Sequence, residues 1–470
     1  MNKAVIVIAA VTIGGSLAKA QRSLPPAPAP HVIPSLQAAS AAGAAGTQGQ
    51  TPPQAASAAG PQLPQLTLAQ AEQMAIRNNP HVSVGRLLAL AQHQVSRETS
   101  SLELPTLDAE MTGVDAEDAS RISAGGLTSS RLLTHAGAGV DFTQLIYDFG
   151  RTHNLVLSRK LEEKASNANA LATTEEIVLA TDTAFYNALT AQAVLQVAQQ
   201  TVNERQVTDN QVRVMTQNKL KSTVDLAFAD VDLSRAKLLQ LDAQSNADAA
   251  MAALDEVLGL DRNTSYDLVQ ESAAPPPPPV SAEQLVQLAL AQRPDLQALQ
   301  YDTQSAQKYA RAERDQMLPS ISAAGTVGIA PVRPDQYYVA NWWGAVGGNV
   351  NIPIFHGLLY SSEAREAKYR EQATAENSRA LRDQIVRDVR TAWLQTNTAW
   401  QRLSVTEQLL KEADLAMELA QTRYKLGLSS IVELSQAQLQ QTSARIEDTN
   451  AQYQYRLSLS TLHYETGVAP

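Results

Sequence analysis

The chain repeats itself, and each copy contains a run that is too long and too regular for a globular helix. From Arg151 to Asn218 and from Leu358 to Leu426 there is neither proline nor glycine, so nothing interrupts a helical hydrogen-bond ladder. A helix over either run extends about 100 Å at 1.5 Å per residue. Punctuation residues align the two copies. Asn79-Pro80 and Leu104-Pro105 recur as Arg293-Pro294 and Leu318-Pro319 at an offset of 214, while Leu226, Ala229, Leu254 and Gly259 recur as Leu434, Ala437, Leu462 and Gly467 at an offset of 208. The change of offset falls in a Gly- and Ser-rich region, where loops absorb differences in length. Five successive prolines, Pro275 to Pro279, part the copies. Residues 271–280 therefore read as an extended polyproline linker between repeats at 65–270 and 281–470.

Each repeat reads as helix, helix, two strands and two long helices. The strands are expected at 106–114 and 140–147, then at 320–329 and 342–354; the long helices at 151–218, 223–259, 358–426 and 430–466. Leu107, Ala109 and Met111 alternate with Asp108, Glu110 and Thr112, and Trp342, Val346 and Val350 alternate with Ala345 and Asn349. This period suits either a half-buried sheet or a barrel strand with one face in lipid. Tyr337, Tyr338, Trp342 and Trp343 gather at one strand end; a membrane interface favours such rings, and a core or loop cluster is the other reading.

Heptads organise the helices. Ala229, Ala236, Ala243 and Ala250 correspond to Ala437, Ala444, Ala451 and Ser458, and a second row runs Val389, Thr396, Leu403, Leu410, Met417 and Tyr424. A seven-residue repeat specifies left-handed supercoiling, and alanine seams let helices approach closely. Two such helices have no second layer over their remaining apolar positions, and four strands cannot close even a barrel of about eight. Companions about an axis supply both. Three copies would give twelve strands and twelve helix columns, although this arithmetic alone does not choose three over two or four.

Lys3, the apolar stretch Ala4 to Leu17, and Ala18-Lys19-Ala20 read as a secretory signal over 1–20, cut after Ala20. A retained anchor would need a longer apolar segment. Residues 21–64 are rich in Ala, Pro, Gly, Ser and Gln and read as a flexible lead. No later stretch is long and apolar enough for a spanning helix, so a membrane-crossing mature chain would do so as a closed barrel. The absence of cysteine excludes disulfides, thiolate metal sites and thiol catalysis, and 37 Lys and Arg against 47 Asp and Glu argue against nucleic-acid binding. The seven histidines show no ligand spacing, and no P-loop, dinucleotide fingerprint or nucleophile elbow is present. No catalytic, cofactor-binding or metal residue is assigned, and no enzyme activity is expected.

Four motifs in fixed order carry a resemblance. They are Leu68-Ala-Gln-Ala-Glu-Gln-Met-Ala-Ile-Arg-Asn-Asn79-Pro80, Gln144-Leu-Ile-Tyr-Asp-Phe-Gly-Arg151 with its weaker copy Ile352-Pro-Ile-Phe-His-Gly357, Arg423-Tyr-Lys-Leu-Gly-Leu-Ser-Ser-Ile-Val-Glu-Leu434, and the closing Gly259 and Gly467. From Leu66 to Val468 the chain resembles the TolC-like outer-membrane efflux protein family. The resemblance implies a mainly α fold with a small β part: a homotrimer whose long coiled-coil helices form an α-helical barrel continuing into a 12-stranded outer-membrane β-barrel, four strands per chain. It implies an exit duct set in outer-membrane lipid, serving a tripartite efflux pump or one-step secretion system with a periplasmic membrane-fusion adaptor and an inner-membrane transporter of the RND or ABC type. Asp225 and Tyr424 match positions that hold the periplasmic end closed, and Glu433 an inward carboxylate at the entrance. Ser429 stands where the pattern has a gate arginine and Gln436 where it has a second aspartate. The hairpin tips, with Lys219, Ser222, Gly427 and Ser429, are the expected adaptor-docking points. From the residues alone, Glu433 also suits a solvated helix-start carboxylate, Tyr424 a seam aromatic and the tips simple tight turns. A soluble periplasmic coiled-coil scaffold or adaptor would explain the heptads but not the alternating strands.

Overall fold

The computed structural model describes residues 64–114, 121–124, 127–131, 135–260, 266–269, 275–329 and 342–467. The expected signal at 1–20, the lead up to residue 63, and Tyr337 and Tyr338 lie outside the described residues. The first repeat comprises β1 (Gln65–Leu66), α1 (Leu68–Asn78), α2 (Pro80–Ser100), β2 (Thr106–Val114), β3 (Arg121–Ala124), β4 (Leu127–Arg131), β5 (His135–Tyr147), α3 (Arg151–Gln217) and α4 (Thr223–Val257). After β6 (Asp267–Leu268) the second comprises α5 (Ala282–Gln292), α6 (Pro294–Asp315), β7 (Ser320–Ile329), β8 (Trp342–Asn351), α7 (Leu359–Lys425) and α8 (Ile431–Thr466).

The order of elements follows the periodicity, with two strand boundaries shifted from the sequence reading and one hairpin added to it. β5 starts at His135 rather than 140, because Ala136 to Gly139 pair with β2 although their composition suggests a loop. β3 and β4 add a short antiparallel hairpin that the sequence reading did not contain. β8 stops at Asn351 rather than 354, just before Pro353, which has no N–H to give a ladder.

Both short-helix pairs turn at the X-Pro break. Asn79 accepts from the His81 amide at 2.9 Å as N-cap of α2, and Pro80 occupies the first helical position, where a missing N–H costs nothing. Asn79 also ties this break to the far end of the repeat, because its Nδ2 donates to Val257 O at the end of α4, 2.8 Å away. Gly259, with φ 69°, seals this junction; a Cβ there would lie 2.7 Å from Asn78 O. The second copy repeats the device. A Cβ on Gly467 would lie 3.1 Å from Arg293 N, and the Arg293 guanidinium bonds to both Glu465 and Asp295. So α4 abuts α2 end to end beside α3, and α8 abuts α6 beside α7. Each chain supplies four helical columns, two of them single helices of 67 residues.

Ala229, Ala236, Ala243, Ala437, Ala444 and Ala451 are buried in the coiled-coil seams, with Ala250 half-buried. α1 and α5 form a partial second layer, α1 on a cluster around Phe185 and Leu254 and α5 on Ile385 and Val389. The polyproline stretch runs over the helices as a strap: Trp393 Nε1 donates to Pro279 O at 2.8 Å, and the buried Tyr455 hydroxyl donates to Pro276 O.

Candidate functional site

The four long strands form one antiparallel sheet in the order β2-β5-β7-β8. Its register sorts side chains by face. Directly opposed residues share a face, and Met111 opposes Ala138, which opposes Ile329, which opposes Trp342. Two rows lower on the same face, Leu107, Phe142, Gly325 and Val346 line up in the same way. One face is thus apolar across all four strands, and it is uncovered: Met111 and Val346 are each 88 % exposed. The other face carries Asp108, Glu110, Asp141, Thr326 and Asn349. A β-bulge between Leu145 and Tyr147 ends the pattern at the helix end of the sheet. The ten residues of β7 and of β8 rise about 33 Å, which at a 45° tilt matches an apolar band about 25 Å tall. Among the described residues no helix is long and apolar enough to cross a membrane.

The helices continue this wall. α2 packs on α3, α3 on α6 and α6 on α7, the same order as the strands to which they connect. Among the described residues the sheet ends on two unpaired edges, β2 and β8.

At the far end the two hairpin tips share one plan. Leu220 N donates to Met215 O and Leu428 N to Arg423 O, each at 2.8 Å, the long bond of a Schellman motif. Lys219 and Gly427 take the left-handed position at φ 60° and 75°. Ser222 and Ser430 cap the returning helices. Asp225 closes a capping box with Ser222, its Oδ2 accepting from the Ser222 amide at 3.0 Å. Tyr424 is buried against Val212, Ala229, Ile431 and Leu434. Burial pushes its ionisation up, and the Asp225 carboxylate adds to the shift. Among the described residues its hydroxyl has no hydrogen-bond partner, while the Lys221 ammonium lies 4.1 Å from the ring centroid. Glu433 pairs with Arg423 of the same hairpin at 3.0 Å.

The profile of the outer membrane efflux protein family matches this chain twice, over residues 71–260 and 285–468. The chain belongs to that family. It is similar to outer membrane protein TolC of Escherichia coli K12, 24 % identical over 342 residues, which cover 68 % of this chain and 67 % of the relative. It also resembles outer membrane efflux protein BepC of Brucella suis, 22 % identical over 350 residues, covering 74 % and 75 % respectively. In fold it resembles the outer membrane protein VceC from Vibrio cholerae, with a TM-score of 0.75 at 17 % identity over 85 % of this chain and 96 % of that one. The CmeC outer membrane channel of Campylobacter jejuni gives 0.74 at 19 % identity over 85 % of each chain. As an outer membrane efflux protein the chain is a channel component of the outer membrane, in a family of channels rather than enzymes, and the uncovered apolar face of its sheet suits lipid. The soluble scaffold reading falls with that assignment.

Within this efflux protein the residues singled out by sequence separate. Trp342 and Trp343 do not form one interfacial cluster: Trp342 stands on the apolar face, and Trp343 on the other, against Gly328. Asp225 and Glu433 occupy equivalent first-turn positions of α4 and α8, each engaged locally. Lys219, Ser222 and Gly427 are exposed, whereas the Ser429 hydroxyl is buried without a partner among the described residues. The sequence reading missed Arg205. This buried arginine of α3 crosses to α8, donating to Gln438 O at 2.9 Å and Thr442 Oγ1 at 3.1 Å. Burial lowers its pKa. Glu204 beside it pairs with Arg445 at 2.9 Å, and Ser435 donates to Asp232. An arginine in a heptad helix looks like any solvated-face cation, so its partners more than 200 residues away left no local signal.

Proposed function

We propose that three copies of this chain close into a gated exit duct, which receives substrate from a periplasmic adaptor and an inner-membrane transporter and conducts it passively across the outer membrane. The observation that carries this reading is the pair of bare edges, β2 and β8, on a sheet whose helices stand in the same order. Four strands leave unpaired amides and carbonyls at lipid depth, which no bilayer satisfies. Three copies pair every edge and continue the helical wall without a break. The polar face with Asp108, Glu110 and Asp141 then lines the bore.

At the periplasmic end, the seam between the two repeats holds the closed arrangement. Widening the bore requires α7 and α8 to swing away from α3 and α4, which breaks the Arg205 bonds and the Glu204–Arg445 pair. The exposed tip residues Leu220 and Val224, repeated as Leu428 and Val432, offer an apolar surface to the adaptor.

Mass measurement in detergent joined to single-channel recording tests this. The expected particle has three times the chain mass and a low conductance. Arg205→Met removes two charge-assisted bonds worth about 1.5–3 kcal/mol each, and its conductance should rise severalfold. A single-copy particle overturns the duct; a trimer with unchanged conductance in the variant overturns the seam as the gate.

A further inference from the structure

Just below the sheet, a groove of about 690 Å³ runs between α6 and α7, lined by Arg311, Arg314, Arg365, Lys368, Met317 and Glu371. Four cations face one groove. Arg314 pairs with Asp315 at 3.3 Å and Lys368 with Glu371 at 2.9 Å, while Arg311 and Arg365 have no ion-pair partner among the described residues. The groove therefore carries a surplus of two positive charges.

The first repeat shows what a groove without that surplus looks like. The first repeat keeps two of the four cations, with Arg97 and Lys160 in place of Arg311 and Lys368, but the equivalents of Arg314, Arg365 and Met317 are Ser100, Leu157 and Glu103, and Ser361 and Gln307 become His153 and His93. Both histidines meet carboxylates, His93 with Glu163 at 2.8 Å and His153 with Glu103 at 3.4 Å. That side closes on itself.

Position selects the occupant. α6 runs straight into β7 and α7 follows β8, so the groove begins where the sheet ends. Arg365 stands about 9 Å along α7 from Leu359, and the polar layer of one leaflet is about 5–7 Å deep. Helical side chains tilt toward their N-terminus, which for α7 points Arg365 and Lys368 toward the sheet. Between sheet and groove, Ile354, Phe355, Leu358 and Leu359 are exposed, a rim suited to acyl chains. The groove also opens outward: Arg365 and Lys368 lie two heptads before Arg379 and Arg382, which flank α5, and a second layer such as α5 fits only outside the bore.

We propose that this groove binds the phosphate headgroup of an anionic phospholipid in the periplasmic leaflet. The proposal rests on the sheet spanning the membrane with its apolar face outward. The arginines grip the phosphate bidentately, and the rim below the sheet holds the chains.

Native mass spectrometry of the intact protein, released from detergent doped with phosphatidylglycerol or with phosphatidylcholine of matched chains, reads the site. Phosphatidylglycerol adducts should be retained in clear excess. The double change Arg314→Ser and Arg365→Leu, which copies the first repeat at these two positions, should weaken that retention about fivefold per charge, while Arg314→Lys with Arg365→Lys, which keeps the charge and loses the planar fork, should weaken it less. Equal retention of the two lipids, or full retention in the Ser/Leu variant, overturns the proposal. Displacement of the adducts by millimolar inorganic phosphate at constant ionic strength overturns it in favour of a free-anion site. Recovery of the same variants from the outer-membrane fraction reports separately on whether the sheet spans the bilayer.

Discussion

At the tip of the first repeat, a lysine carries the left-handed backbone that glycine carries at the second, Lys219 at φ 60° against Gly427 at φ 75°. The same Schellman bonds close both turns, and serine caps both returning helices. Inside the tips the chemistry diverges. The position equivalent to Tyr424 is Thr216, which turns its hydroxyl back to Val212 O at 2.9 Å. Asp225 commits its carboxylate to its own helix start, whereas the equivalent Glu433 reaches across to Arg423. Duplication conserved the backbone plan and left the second hairpin to fill the space between the repeats, because Tyr424 packs on Val212 and Ala229 of the first. The tips teach that the second repeat supplies the interior of this end and the first supplies the surface it leans on.

The strongest way to break this comparison is to empty the interior. Tyr424→Ala leaves a cavity against four buried apolar residues and should cost about 3 kcal/mol, read as earlier thermal unfolding by circular dichroism. Tyr424→Phe should be neutral within about 0.5 kcal/mol, because the hydroxyl has no partner to lose. A large cost for the phenylalanine variant would mean that a neighbouring copy supplies a hydrogen bond, and Tyr424 would then be a latch between chains.

The backbone difference is the next lever. Gly427→Ala forces a Cβ into the left-handed region and should cost about 1–2 kcal/mol. Lys219→Gly relieves the same strain and should gain somewhat less, roughly 0.5 kcal/mol, since glycine raises the entropy of the unfolded chain. Opposite signs at equivalent positions would establish that the turn, not the side chain, sets these tips. A loss for Lys219→Gly would instead give the lysine a contact of its own, beyond the turn geometry.

How much of this was legible in the sequence follows from the range of the forces involved. The long helices, the X-Pro breaks and the seam alanines are local or periodic, and they read directly: Ala236 and Ala444 are buried at the heptad positions that the alignment of the two copies assigns. The end-to-end junctions were half visible. Asn79 and Gly259 stood out as punctuation, but nothing local indicates that Asn79 Nδ2 meets Val257 O across 178 residues. The early start of β5 was hidden because Ala136 to Gly139 have little strand propensity; pairing with β2 and β7, close enough that a Cβ on Gly139 would lie 3.3 Å from Val327 O, overrides it. At the candidate site, sequence located the tips and the residues on them, but not their partners. Glu433 carried two readings, an inward carboxylate by resemblance and a helix-start carboxylate from the residues alone, and the structure adds its pair with Arg423; Arg205 carried no reading and is buried. Burial and pairing are tertiary facts, and a repetitive helical sequence conceals them most effectively.

The smallest expected effect decides whether Asp225 and Glu433 are equivalent in more than position. Asp225→Ala removes a capping box whose carboxylate accepts from the Ser222 amide and hydroxyl, and should cost about 1 kcal/mol. Glu433→Ala removes one exposed ion pair and should cost about 0.5 kcal/mol or less. Salt separates the mechanisms. Raising sodium chloride from about 0.05 to about 0.5 M shortens the screening length severalfold, so the Glu433 effect should vanish while the capping loss at Asp225 persists. A Glu433 effect that survives high salt would contradict a pair screened on the surface of one chain, and would place that carboxylate against another copy, at the narrow end of the bore.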